Sequence, residues 1–163
     1  MTRGAGCRRA ALGWVAREVP RAWANLLGVG KVAERKPRIA VINDDTAFLD
    51  LMEELLEKEE GYEVSVCKEA HNAYQFVKDF HPDLVVLDIR VGHEENGWTI
   101  LELLTLDPAT RPIPVIVCSA ALHSLAEHQP LLEQYDCEVL AKPFDLDALL
   151  AKVEVALSRG SRD

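Results

Sequence analysis

Residues 82–98 read PDLVVLDIRVGHEENGW, and this stretch decides the fold. Its centre, residues 84–87, is an aliphatic run of the kind that forms a fully buried strand. The run stops at Asp88, and a polar loop that contains glycine follows it. A charge at the end of a buried strand is costly unless another group pairs with it. Asp88 is therefore either a surface residue placed there by chance or a residue with a partner elsewhere in the chain.

Short apolar runs of this kind recur along the chain, at residues 38–43, 62–67, 83–88, 114–119 and 138–143. A segment with helical spacing follows each run, and the fourth such segment, over 122–136, is weak and interrupted by Pro130. Alternation of this kind predicts an α/β fold, a doubly wound five-stranded parallel sheet with helices on both faces. We expect the third and fourth strands, the most apolar, at the centre and the alternating second strand at an edge.

The helical segments also predict which side chains face the core. The first helix lies within residues 46–62, where Gly61 is the stop signal. Its spacing places Phe48, Leu51, Met52, Leu55 and Leu56 inward, and the last helix is predicted to turn Leu149, Leu150, Val153 and Leu157 inward.

Composition limits the class of protein. The 163 residues suit one ordinary domain, and no stretch approaches the about 18 apolar residues of a membrane span. The net charge of -9 is uneven, because residues 1–38 carry about +7 and residues 39–163 about −16. A body this acidic repels phosphates, which argues against direct nucleic-acid binding.

The four cysteines are far apart, which predicts free thiols in a reducing compartment and no zinc site.

The first 37 residues differ from the rest. They are basic and lack the unbroken apolar core of a secretory signal. We predict an extension that is flexible or partly helical, and a partner-binding amphipathic arm stays open as an alternative. Residues 28–33, GVGKVA, fit a dinucleotide-binding signature only by chance, because no strand precedes them and Pro37 soon follows. The domain is predicted over residues 38–160, with a tail at 161–163.

Polar residues follow four of the five predicted strands. In an open parallel sheet the carboxyl ends of all strands lie along one edge, where ligands bind. Side chains that are far apart in sequence should therefore converge there, namely Asn43, Asp44, Asp45, Asp88, Ser119 and Lys142. Each residue alone is ordinary, since an Asp after a strand is often a helix N-cap. A shared edge is harder to explain by capping, because a lysine is not a cap.

Four stretches, IAVINDD, PDLVVLDIR…NG, IPVIVCSA and VLAKPF, resemble the receiver domain of bacterial two-component response regulators. The resemblance covers residues 38–160 and implies a flavodoxin-like sheet of strand order 2-1-3-4-5 in a cytoplasmic protein. It implies that a histidine kinase or phosphotransfer protein passes a phosphoryl group to Asp88 in the presence of Mg²⁺. Asp44, Asp88 and the backbone carbonyl of Arg90 would hold the metal. Ser119 and Lys142 would hold phosphate oxygens, and the Lys142–Pro143 peptide would be cis.

The sequence departs from the family pattern at three places. The usual acidic pair after the first strand reads Asn43-Asp44, so we predict weakened Mg²⁺ binding, with Asn43 or Asp45 as further metal residues left open. Gly97 follows Asp88 by nine residues, one more than usual, in a loop that lacks the usual proline. Val139 stands where a switch aromatic is common, so the route of the signal to the fourth helix and fifth strand is left open.

The leading interpretation is a phosphoacceptor module without an output domain, since the chain ends soon after its last helix. It would perform only its own phosphotransfer and autodephosphorylation, and would signal by conformational change to a downstream protein, with a homodimer left open. The alternative is a pseudo-receiver that binds proteins without phosphorylation. A Mg²⁺-dependent phosphatase with an aspartyl nucleophile is disfavoured. Such enzymes need a second carboxylate two residues after the nucleophile, and this chain has Arg90 there.

Overall fold

The computed structural model describes residues 35–92 and 96–160. The predictions for most of the basic extension and for the tail at 161–163 lie outside the described residues. Within the described ranges, no helix combines the length and apolar character that a membrane crossing requires.

Five parallel strands form one sheet in the order β2-β1-β3-β4-β5. All residues of β3 and β4 are buried, whereas β2 at one edge keeps an exposed residue and only one fully buried one. The predicted order, the central third and fourth strands and the edge position of the second are confirmed. The strands are β1 (Arg38–Ile42), β2 (Glu63–Cys67), β3 (Leu84–Asp88), β4 (Val115–Ser119) and β5 (Glu138–Ala141).

Six α-helices connect and cover these strands in the described part of the chain. The predicted weak helix is two short ones, and Pro130 stands in the first turn of the second, where a missing N–H costs nothing. The helices are α1 (Thr46–Met52), α2 (Ala70–Phe80), α3 (Asn96–Leu106), α4 (Leu122–Glu127), α5 (Gln129–Gln134) and α6 (Leu146–Gly160).

The first helix differs from the prediction in its second half. After α1 the chain continues as a π-helical segment, Glu53–Glu59, in which the N–H of Glu60 donates to the carbonyl of Leu55 over 3.2 Å. The prediction that Leu51 faces the core is wrong, because its side chain is 44% exposed. Leu49 and Met52 take the inward positions of α1 instead. The segment ends at Glu59, two residues before the predicted stop signal Gly61, which has a φ of 76°.

Helices cover both faces of the sheet, as predicted. One face packs against α1 and α6, through core residues that include Leu49, Met52, Leu149 and Val153. The other face packs against α2 and α3, and α4 and α5 add Leu125 and Leu132 to that core. In α6 the fully buried residues are Leu149, Val153 and Ala156, while the predicted Leu150 and Leu157 are partly buried. Because the strands are parallel, their carboxyl ends all lie at one edge of the sheet, between the two helical layers.

The described cysteines are free thiols: Cys67, Cys118 and Cys137. Cys118 lies in β4 beside Asp88 in the strand register. Burial raises the pKa of the Cys118 thiol to about 12, although the nearby Lys142 ammonium acts in the opposite direction. The thiol is therefore protonated near neutral pH and acts as a small apolar side chain.

Candidate functional site

Asp88 is the last residue of β3, and its carboxylate has three hydrogen-bond donors. Lys142 Nζ donates to Oδ2 over 2.6 Å, and Asn43 Nδ2 donates to the same oxygen over 3.1 Å. The backbone N–H of Arg90 donates to Oδ1 over 3.1 Å. The Asp88 side chain is only 8% exposed, so these contacts offset the cost of a charge in a nearly buried position.

Lys142 follows β5 and is positioned by the backbone and by aromatic rings. Its N–H donates to the carbonyl of Ser119 over 2.8 Å, and the Lys142–Pro143 peptide is cis, as predicted. Its Nζ lies 5.5 Å from the ring centroid of Phe48, which meets Phe144 edge to face. The ammonium therefore lies between an anion and an aromatic face.

Ser119 ends β4 and is 1% exposed. Its Oγ accepts a hydrogen bond from the backbone N–H of Ala121 over 3.0 Å. The hydroxyl proton remains available to an oxygen at the sheet edge, because this contact uses only a lone pair. Its carbonyl holds the Lys142 backbone. The two predicted phosphate-holding residues are thus linked through their main chains.

The two aspartates after β1 have different contacts. Asp44 Oδ2 accepts from the backbone N–H of Gly92 over 2.9 Å and so contacts the loop after Asp88. Asp45 Oδ1 accepts from the N–H groups of Ala47 and Phe48, which makes Asp45 the N-cap of α1. The carboxylate of Asp45 is therefore directed to the helix, whereas that of Asp44 contacts the loop that follows Asp88.

Asn43 is almost fully buried, at 1% exposed, and contacts two elements. Its Nδ2 donates to Asp88, and its Oδ1 accepts from the N–H of Asp45 over 2.8 Å. Its backbone N–H donates to the carbonyl of Cys67 at the end of β2. The polar residues after β1, β3 and β5 therefore converge, as the sheet topology predicts.

The donor set fits a hard cation such as Mg²⁺. Within the described residues no group of three or more His, Cys, Asp or Glu side chains is placed to hold a metal ion. Mg²⁺ does not require such a cage, since it commonly takes one or two carboxylates and fills its octahedron with phosphate oxygens and water. Asp44 and Asp88 supply carboxylates, and the Arg90 backbone lies beside Asp88 through its N–H contact. The oxygens of these two carboxylates are the type of donor that Mg²⁺ prefers.

Gly97 shapes the turn that follows the Asp88 loop. Its N–H donates to the carbonyl of Ile89 over 2.9 Å at the start of α3. A Cβ atom at this position would lie 2.6 Å from the carbonyl oxygen of Asp88 and would also meet the Cα atom of Ile89. Only glycine fits here without moving the backbone of Asp88. The sequence pattern includes this glycine but does not show why a larger residue cannot occupy the position.

Trp98 makes a contact that was not predicted. Its Nε1 donates to Ser124 Oγ over 2.8 Å, and its ring stacks on the His128 ring with centroids 3.9 Å apart. The only signal in the sequence is general, since a buried tryptophan usually needs an acceptor for its N–H. These contacts join the start of α3 to α4 and to the residue between α4 and α5.

Val139 is half-buried in β5 and packs against the core on the α4 and α5 side. It lines an open groove together with Leu125, Leu132 and Cys137. The position that often carries an aromatic side chain thus holds a small one.

Comparison with known proteins agrees with this geometry. The model of the Response regulator receiver domain family matches residues 39–154. The DNA-binding dual master transcriptional regulator RpaA of Synechocystis sp. is 33% identical over 129 residues, which cover 77% of this chain and 51% of RpaA. The chain therefore spans about half of the length of that curated relative.

Solved structures share the same fold. The signal receiver domain of a Luxo repressor protein from Vibrio parahaemolyticus is similar at a TM-score of 0.66 and 25% identity, over 77% of this chain and 93% of that one. The receiver domain of a sensor histidine kinase from Pseudomonas aeruginosa PAO1 has a TM-score of 0.64 at 19% identity. The match covers 76% of this chain and 98% of that one. That second structure has a magnesium ion coordinated in its active site cleft.

Proposed function

Because this chain belongs to the response regulator receiver domain family, whose model matches residues 39–154, we propose that it accepts a phosphoryl group on Asp88. Receiver domains of this family are not classical enzymes, and the proposed chemistry is the module's own phosphotransfer and its reversal by hydrolysis. The donor would be a phosphohistidine on a histidine kinase or a phosphotransfer protein.

The observation that supports this proposal most directly is the contact between Lys142 Nζ and Asp88 Oδ2, at 2.6 Å. The contact sets an ammonium group against the carboxylate of Asp88 at the end of a buried strand. The same ammonium is placed to receive the charge of an incoming phosphoryl group. A purely structural ion pair would not require the further polar residues, Asn43 and Ser119, to end neighbouring strands at the same edge.

In the proposed step a carboxylate oxygen of Asp88 forms a bond to phosphorus as the P–N bond of the phosphohistidine breaks. The electron pair of that bond returns to the imidazole nitrogen, so no proton must leave Asp88. The product is an acyl phosphate. Positioning and charge neutralisation are what such a transfer demands from a protein. Lys142 and the hydroxyl of Ser119 would hold two phosphoryl oxygens.

Asp44, Asp88 and the carbonyl of Arg90 would hold Mg²⁺. The ion would supply positive charge to the transferred phosphoryl group. The side chain of Asp45 contributes its oxygen to the helix cap in the described structure, so we do not include it among these ligands.

Signalling would follow from the loss of the resting contact. Once Asp88 carries a phosphoryl group, Lys142 must exchange the Asp88 oxygen for a phosphoryl oxygen. Lys142 contacts Phe48 and Ser119, and Phe48 contacts Phe144. A movement of the Lys142 side chain would therefore change the packing of α1, of the end of β4 and of the segment before α6. We propose that a downstream protein recognises this change.

Direct binding of nucleic acid is disfavoured by the acidic body. The cytoplasmic location and a homodimer remain predictions.

The experiment is incubation with acetyl phosphate and Mg²⁺, followed by intact-mass measurement. We expect wild-type protein to gain one phosphoryl group and Asp88→Asn to gain none. Asp50→Asn is the matched control, because Asp50 is an exposed carboxylate of α1 away from the strand ends. A folded wild-type protein that gains no phosphoryl group from acetyl phosphate or from a phosphohistidine donor would contradict the proposal and favour the pseudo-receiver.

A further inference from the structure

The side-chain amide of Asn43 is held in one orientation. The backbone N–H of Asp45 donates to its Oδ1 over 2.8 Å. A backbone N–H can only donate, so the atom that faces it must be the amide oxygen. The amide nitrogen is then the end that faces Asp88, where it donates to Oδ2 over 3.1 Å.

Protein groups alone satisfy this amide. Asn43 is 1% exposed, and in the described residues no buried side-chain nitrogen or oxygen lacks a hydrogen-bond partner. Both ends of the amide therefore have protein partners.

The position thus contributes a donor to Asp88 where a carboxylate would contribute an acceptor. An aspartate of the same shape would direct an anionic oxygen at Asp88 Oδ2. Two carboxylates at this separation repel each other unless a cation lies between them. The amide removes that repulsion and adds a hydrogen bond to the charged oxygen.

Asn43 also complements the other two donors. Lys142 reaches Oδ2 on a flexible four-carbon stem, which fixes an orientation poorly by itself. The N–H of Arg90 holds Oδ1, and Asn43 adds a short and buried donor to Oδ2. The two oxygens are then held from three separate segments of the chain.

We propose that Asn43 is a positioning residue, whose amide N–H holds the Asp88 carboxylate in the orientation for phosphoryl acceptance before Mg²⁺ binds. This inference rests on the proposed function of Asp88. It differs from the weakened metal ligand that the sequence suggested, because Asn43 acts here through its N–H and not through its oxygen.

Two substitutions separate the donor role from a ligand role. Asn43→Ala removes the amide and adds no charge. Asn43→Asp keeps the size and the acceptor for the Asp45 N–H but removes the donor to Asp88. The dissociation constant for Mg²⁺ is measured by calorimetry, the melting temperature is measured with and without Mg²⁺, and phosphorylation by acetyl phosphate is timed at saturating Mg²⁺.

We expect Asn43→Ala to leave the dissociation constant for Mg²⁺ unchanged and to slow phosphorylation about tenfold, the scale of one lost hydrogen bond to a charged group. We expect Asn43→Asp to melt below wild type in EDTA, with Mg²⁺ closing the gap. Weaker Mg²⁺ binding by Asn43→Ala would make Asn43 a metal ligand and overturn the inference. An unchanged phosphorylation rate in Asn43→Ala, or a metal-free Asn43→Asp as stable as wild type, would also overturn it.

A further measurement distinguishes failure of this inference from failure of the proposed function. The side-chain amide protons of Asn43 are followed by NMR in metal-free protein, with Asp88→Ala as the comparison. We expect slow exchange in wild type and a shifted, faster-exchanging signal in Asp88→Ala. An unchanged signal would overturn the inference whatever the phosphorylation result. A protected signal in a wild-type protein that is never phosphorylated would support the contact and overturn the function.

Discussion

Lys142 Nζ lies 2.6 Å from Asp88 Oδ2, although 54 residues separate them in the chain. The parallel sheet brings them together, because β3 and β5 flank β4 and all three end at the same edge. The pair explains how a strand whose residues are all buried can end on a carboxylate.

Replacing Lys142 with Met should therefore leave Asp88 with an unpaired charge. We expect a loss of about 1.5–3 kcal/mol in the free energy of unfolding, toward the lower end because the Lys142 side chain is 28% exposed. The check is a double-mutant cycle by urea denaturation, in which Lys142→Met costs clearly less in an Asp88→Asn background. Equal costs in the two backgrounds would show that the ion pair contributes nothing.

Gly97→Ala should displace the backbone that carries the acceptor carboxylate. The new Cβ would lie 2.6 Å from the Asp88 carbonyl oxygen, and overpacking of this kind costs about 1–3 kcal/mol. Gly61→Ala is the control, because its φ of 76° strains an alanine while its surroundings are open. We expect both variants to lose stability in thermal melts but only Gly97→Ala to lose phosphoryl acceptance. Normal acceptance by Gly97→Ala would contradict the close approach.

Asp45→Ala should affect the helix and not the metal. Its carboxylate caps α1 through Ala47 and Phe48, and loss of such a cap costs about 1 kcal/mol. Urea denaturation and Mg²⁺ calorimetry on the same variant check both parts, with exposed Asp50→Ala as the control. A tenfold or greater loss of Mg²⁺ affinity, about 1.4 kcal/mol, would instead place Asp45 among the ligands.

Asp107 should make stability depend on acid pH. It accepts hydrogen bonds from Tyr74 Oη over 2.6 Å and from the N–H of Ala109, and Lys78 Nζ lies 2.9 Å away. The Tyr74 hydroxyl, the Ala109 N–H and the Lys78 ammonium together hold the pKa of the Asp107 carboxyl well below its usual range. These contacts tie α2 to the end of α3.

A depressed pKa in the folded state gives stability that is present above the unfolded pKa, near 3.9, and is lost as pH falls below it. We therefore expect Asp107→Asn to melt below wild type at pH 7, and the difference to shrink as pH is lowered from about 5 toward 2. Melting curves across that range measure it. A difference that stays constant with pH would mean that the Asp107 charge does not contribute.

Much of the fold followed from the sequence, because its signals are local. The apolar runs at 83–88 and 114–119, with helical spacing between them, are enough to predict central parallel strands. The topology then predicts Asp88 and Lys142 at one edge from the order of the strands alone. The cis Lys142–Pro143 peptide followed from resemblance to the family.

Other features depend on contacts that periodicity does not encode. The apolar spacing of the first helix fits more than one inward face, and the structure buries Leu49 and Met52 while Leu51 is exposed. The orientation of the Asn43 amide is set by the backbone N–H of Asp45, which the sequence does not reveal. The stacking of Trp98 on His128 requires the exact approach of α3 to the residue after α4.

The central claim is that Asp88 itself carries the phosphoryl group. Protein treated with acetyl phosphate and Mg²⁺ can be reduced with borohydride, which converts an aspartyl phosphate into homoserine, and then digested for peptide sequencing by mass spectrometry. We expect homoserine at position 88 in wild type and none at any position in Asp88→Asn. Homoserine at Asp44, Asp45 or another aspartate, or its persistence in Asp88→Asn, would contradict the account.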